Sequence, residues 1–158
     1  MPPLLKTLTP KNNQKVTRVD FYILDHSDEQ ARLRIACRLA EKAWRLSNHI
    51  YIHATPAAAA QIDELLWSFK PDSFIPHAQL PASKKTPIHI GSDFNDDGDI
   101  GTHHNLLINI GTDVPRFFSR FERVAEIVTQ QPQQLAVSRE RFLFYKKRGY
   151  ALESHHLK

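Results

Sequence analysis

The sequence predicts a three-layer α/β domain built on a mostly parallel sheet with helices on both faces. Strand-like and helix-like segments alternate from the first periodic residues onward. The helical segments are long enough to serve as crossovers between parallel neighbours. The first strand candidate is continuously apolar in its second half, and 105–110 reads as a buried strand bounded by polar turns, as suits strands covered on both sides. A chain of 158 residues forms, most simply, one domain that buries roughly two thirds of its unfolded surface, so it needs no staple of disulfides.

Residues 1–15, with three prolines, three lysines and no periodicity, read as a flexible leader ahead of a domain over 16–152, and 153–158 read as a flexible tail. Residues 17–24 are β-branched and aromatic and form a first strand. Ser27 and Gln30 have capping-box spacing, and Ile35, Leu39, Ala43 and Leu46 repeat at helical intervals up to Asn48. A short strand over 49–54 follows. Thr55 then caps a helix with Pro56 in its first turn, and Pro71 stops that helix after about Phe69. Residues 73–77 are extended, because Pro76 biases Ile75 away from helix and cannot donate a ladder bond. Residues 80–87 form a loop, 88–90 a strand, 93–104 an acidic loop and 105–110 a buried strand. Pro115 opens a short helical turn. The period of 121–129 fits strand and helix alike. The last helix covers 133–148, with Gly149 ending it in the left-handed conformation.

The net charge of +4 and pI near 9.3 favour acidic partners without requiring them. The single cysteine, Cys37, lies in an apolar helical pattern and excludes a disulfide framework and a cysteine zinc site. Residue usage points to the cytoplasm, with neither a membrane span nor the apolar core of a signal peptide.

An open parallel sheet invites a nucleotide at the turn after its first strand. That turn, 24–30, contains no glycine and carries acids that would repel a pyrophosphate. Asp93, Asn95, Asp97 and Gly98 match positions of a calcium loop, but the twelfth position is His104, so a solvated loop is the better reading. No nucleophile is paired with a base. The pattern is that of a binding protein without cofactor or metal.

The stretch 138–150 holds five basic residues and four aromatics against one acid. Its plain reading is a helix end whose cations offset the dipole. Arg139, Phe142 and Lys146, however, share one stripe. A ring between cations suits a ligand both acidic and apolar, such as an acidic peptide with a hydrophobic end or a nucleic-acid strand. Trp67 and Phe74, around a proline break, are either core seals or anchors for a partner.

Asp20-Phe-Tyr-Ile-Leu24, Ala36-Cys through Ala43-Trp44, Asp63-Glu-Leu-Leu-Trp67, Ser73-Phe-Ile-Pro-His77, Asn105-Leu-Leu-Ile-Asn-Ile110, and Arg139-Glu-Arg through Tyr145 with Gly149-Tyr150 together resemble the chi subunit family of bacterial DNA polymerase III. The likeness runs from about Val16 to Leu152. It implies a Rossmann-like fold without a nucleotide-binding loop, in a non-catalytic accessory subunit of the clamp-loader assembly. The implied partners are the psi subunit, the acidic phenylalanine-ended tail of single-stranded DNA-binding protein, and a helicase, with DNA reached only indirectly. By position, Arg139 would hold the tail's terminal carboxylate, Phe142 would wall the pocket, and Val128 and Gly149 would shape it. Arg141 and Lys146 join them on electrostatic grounds. Trp67, Phe74, Pro76 and His77 resemble the region that faces psi or a helicase. Leu135 and Leu143 stand where the family pattern has lysines. The rival readings are a single-strand-binding module and a small-molecule enzyme on the same fold.

Overall fold

The computed structural model describes residues 16–68, 75–79, 86–91 and 105–157. Its sheet has seven strands: β1 (Arg18–Leu24), β2 (Ile50–Ala54), β3 (His77–Gln79), β4 (Ile88–Gly91), β5 (Leu106–Ile110), β6 (Arg123–Val128) and β7 (Ala151–Leu157). They lie in the order β3-β4-β2-β5-β6-β1-β7, and every pairing is parallel. Three helices cross over them: α1 (Glu29–Arg45), α2 (Pro56–Ser68) and α3 (Pro132–Lys147).

The odd and even residues of the strands divide two cores, as the strand period demands. Tyr22 and Leu24 of β1 join Ile50, Ile52, Ile108 and Ile127 beneath α1 and α2. Val19 and Phe21 join Tyr51, Leu107, Val124 and Val128 on the other face. That second face is covered by α3 through Tyr145 and by a 3-10 turn, Arg116–Arg120, which contributes Phe117 and Phe118. The expected three layers are present.

Four local outcomes differ from, or decide between, the sequence expectations. The cap of α1 is Asp28, whose carboxylate accepts from Gln30 N at 3.0 Å, one residue after the expected Ser27; the helix ends at Arg45, short of Asn48. Residues 123–128 are strand: β6 fills the slot between β1 and β5, and pairing on both edges outweighs the helical alternative. The expected loose tail over 153–158 is replaced through Leu157 by β7. It runs beside β1 in register from Arg18↔Ala151 to Leu24↔Leu157, so the domain extends past residue 152. Its amphiphilic sequence hides this strand, because an edge strand buries only part of each face. The expected Gly149 ending is present, at φ 81°. Gly149 N donates to Lys146 O and Tyr150 N to Tyr145 O, the paired bonds of a Schellman motif.

The leader 1–15, the acidic loop 93–99 and Phe74 lie outside the described residues. No described helix is long and apolar enough to cross a membrane.

Candidate functional site

The three flanks of α3 do different work. Tyr145 faces the sheet, and its hydroxyl donates to Glu126 Oε2 at 2.6 Å. Glu126 is buried and also accepts from Asn109 Nδ2 at 3.0 Å and from Arg141 Nη1 at 2.8 Å. Arg141 sends its other arm to Gly111 O at 2.9 Å. Burial, then the Glu126 charge and its hydrogen bond, hold the Tyr145 phenol far above the usual tyrosine range. This network pins α3 to β5 and β6. The Arg141 side chain is only 12% exposed, and its charge faces a carboxylate inside the fold rather than an outside ligand.

The opposite flank carries the stripe. The Arg139 and Lys146 side chains are exposed and make no hydrogen bond or ion pair with any other described residue. Between them Phe142 is half-buried, its ring 5.5 Å from that of Phe21. Phe142, Leu135 and Ile23 pack against the core cluster that contains Val128. Leu143, 53% exposed, falls on the same arc of the helix as Arg139. The structure thus brings Arg139, Phe142 and Lys146 to one side of α3, and places Val128, buried, in the cluster against which Phe142 packs. Gly149, beyond the helix, is exposed, with open space where a side chain would stand. Leu135, Leu143 and Ile23 are members of this face that residue type alone did not suggest; their helical and strand spacing was the available signal. Lys147 is exposed as well, whereas Arg148 lies 3.8 Å over the Phe144 ring and donates to Phe144 O.

Such a face has two chemistries side by side. Unpaired guanidinium and ammonium groups recognise carboxylate or phosphate. An adjoining apolar shelf of Phe142 and Leu143 accepts a hydrophobic side chain.

A second patch lies at the other end of the molecule, where α2 meets β3. Trp67 is 55% exposed, and the His77 ring stands edge-on to it at 4.9 Å. His77 is held at one end, its Nδ1 lying 2.6 Å from Ile75 O, while Nε2 lies 3.1 Å from Asp63 Oδ1 without hydrogen-bond geometry. Pro76, half-buried, completes the described part of this patch, and Ile75 anchors it in the core.

Three places where chemistry could sit are already occupied or closed. A cavity of about 400 Å³ opens at the carboxyl ends of β2, β5 and β6, the usual ligand crevice of open parallel sheets. Its arginines are Arg141, tied to Glu126, and Arg32, which bonds Glu29 and Ile110 O. Each guanidinium is already met by a carboxylate. Cys37 is fully buried, and burial pushes its thiol up to about 12, which keeps it protonated and unreactive at neutral pH. Asp20, Glu153 and His155 gather across β1 and β7, but Arg18 and Arg123 point at Asp20 from 3.5 and 3.7 Å, and Arg18 also pairs with Glu153. Those carboxylates are neutralised by arginine, which disfavours a cation among them.

Comparison with known proteins adds a consistent result. Residues 16–153 match the family described as DNA polymerase III chi subunit, HolC. The DNA polymerase III subunit chi of Pseudomonas aeruginosa is 41% identical over 143 residues, covering 90% of this chain and 98% of that one. The subunits chi of Haemophilus influenzae and Escherichia coli are 28% and 24% identical, each over 85% of this chain and more than nine tenths of their own.

Proposed function

This chain belongs to the DNA polymerase III chi subunit family, a family of DNA replication, and from that premise we propose that it is an adaptor with two protein-binding faces. One face takes the acidic, phenylalanine-ended tail of single-stranded DNA-binding protein; the other takes the psi subunit. The chain works in the cytoplasm as part of the replisome and has no active site of its own.

The observation that carries the tail assignment is an exposed Arg139, without a partner among the described residues, beside the half-buried Phe142. A chain-terminal carboxylate is the flat, two-oxygen acceptor that a guanidinium fork fits. The terminal phenyl ring then rests on the shelf of Phe142 and the core residues behind it, with Val128 as its floor. Lys146 steers the acidic residues that precede the ring. Leu143 compensates with apolar area for the cation that the family pattern carries there. Arg141 acts by fixing the helix through Glu126, rather than by touching the tail. Gly149 lets the chain turn away without a side chain over the shelf.

A synthetic peptide ending in acidic residues and phenylalanine, titrated by calorimetry, is expected to bind. Arg139→Ala weakens it by about 1.5 to 3 kcal/mol, the loss of a hydrogen bond to a charged group. Equal affinities for the two forms would sink the assignment.

Trp67, Pro76 and His77 form the described part of the face proposed for psi, with Phe74 assigned to the same face from its place in the sequence. An exposed tryptophan held by a fixed imidazole is a preorganised anchor. A helicase able to present a similar apolar segment would compete for it.

A further inference from the structure

The outer face of α1 is unlike the outer face of an ordinary surface helix. Arg34, Arg38 and Lys42 recur at i, i+4 and i+8, so they stand in one row about 6 Å apart along the axis. All three are exposed, and none of their side chains has a hydrogen bond or ion pair with another described residue. Arg45 lies on the same arc; it pairs with Glu41 and also sits 5.6 Å over the Trp44 ring. The other carboxylate of the helix, Glu29, is engaged by Arg32. Glu41 adjoins the row but is buried and paired, so no exposed acid interrupts it.

Folding does not account for this arrangement. Like charges at i, i+4 repel across each turn, and only Lys42, in the last turn, is repaid by offsetting the dipole; Arg34 and Arg38 lie too far from that end to gain from it. Alternating acids would have stabilised the same exposed face. Arg34 and Arg38 therefore stand beside a like charge without stabilising the helix, which is the expected mark of a surface meant to meet opposite charge.

The chemistry of the face selects the partner. Its arc carries no exposed aromatic ring on which a base could stack, as a single-strand binder needs. Nor does it offer the apolar anchor of a protein interface, since Leu46, exposed, lies past the last helical residue. The apolar side of α1 is already spent on the core, so it cannot enter a membrane. What remains is a regular row of cations, matched to the regular phosphates of a duplex.

We propose that the Arg34, Arg38 and Lys42 row on α1 is a sequence-independent binding site for the phosphate backbone of double-stranded DNA. It lies on the opposite side of the sheet from α3, so a tail peptide and a duplex are held at once without sharing residues. The affinity is weak by construction, because three phosphate contacts suffice only for a tethered or multivalent protein.

The test is fluorescence anisotropy of a labelled duplex of about 20 base pairs against the full chain. With three phosphates neutralised, affinity is expected to fall about forty-fold between 50 and 200 mM salt. Arg34→Glu/Arg38→Glu/Lys42→Glu is expected to abolish binding while leaving its thermal melt and its titration with the tail peptide unchanged. Arg38→Gln alone should flatten the salt dependence by about one contact. Arg139→Glu/Lys146→Glu should leave duplex binding intact. Absence of duplex binding at 50 mM salt, an unchanged affinity in either α1 variant, tighter binding of a single strand, or loss of binding in the α3 variant each overturns the proposal. Because the peptide titration reads α3 alone, failure here and failure of the tail assignment are distinguishable.

Discussion

Arg139 and Arg141 are two residues apart and have opposite fates, which shows how little residue type says about a cation's use. Arg139 is free to meet a ligand, while Arg141 is held by Glu126 and Gly111 O. Removing Arg141 leaves Glu126 buried with only its two uncharged donors, Tyr145 and Asn109. Arg141→Met is therefore expected to destabilise the fold by about 3 kcal/mol, read as a lower urea midpoint. The double variant Glu126→Gln/Arg141→Met should recover part of that loss, because no unpaired charge remains. Arg139→Ala, by contrast, should leave the urea midpoint within about 0.5 kcal/mol of the parent, since an exposed side chain with no partner among the described residues holds nothing together. A large shift in Arg139→Ala would mean that its side chain belongs to the scaffold.

Among elements, α3 is defined at both ends by local signals: Pro132 in its first turn and Gly149 beyond its last. Gly149→Ala must place a Cβ at φ 81°, where the clash is with the residue's own backbone, since the surrounding space is open. A loss of about 1 to 2 kcal/mol is expected in thermal or urea melts, with the chain still folded. If Gly149→Ala melts like the parent, the helix end has another conformation in solution. The helix and its ending were legible from spacing and residue type. β7 was not, because Ala151–Leu157 carries exposed and half-buried residues in an uneven pattern, and its position depends on the free edge of β1. The same holds for β6, whose apolar residues satisfy two periods and are decided by neighbours on both sides.

At the level of the whole molecule, the two cores bury hydroxyls and a thiol as well as hydrocarbon, and this links stability to alkaline pH. Burial pushes the Cys37 thiol from 9.0 up to about 12 and the Tyr51 phenol from 10.0 up to about 12, while Tyr22 and Tyr145 are raised further. The unfolded chain gives up these protons first. Their contribution is thus complete below about pH 9 and declines as pH climbs toward about 12, where the unfolded state binds fewer protons than the native one. Urea midpoints should fall steadily across that window, and Tyr51→Phe should make the fall shallower. Midpoints that stay level up to about pH 11 would contradict the burial of these groups.

The sequence by itself determined what repeats along a single segment. It yielded the alternation of strand and helix, the parallel sheet, the glycine-free first turn, the stripe of Arg139, Phe142 and Lys146, and the ending at Gly149. Only the tertiary structure decided what depends on partners distant along the chain: the strand state of β6, the seventh strand, the Glu126 network that removes Arg141 from the surface, and the exposure of Leu143. Periodicity reports the direction of a side chain about its own axis. Whether that direction meets a carboxylate, a core or water is set by elements up to 135 residues away, as between Asp20 and His155, and no local pattern encodes that meeting.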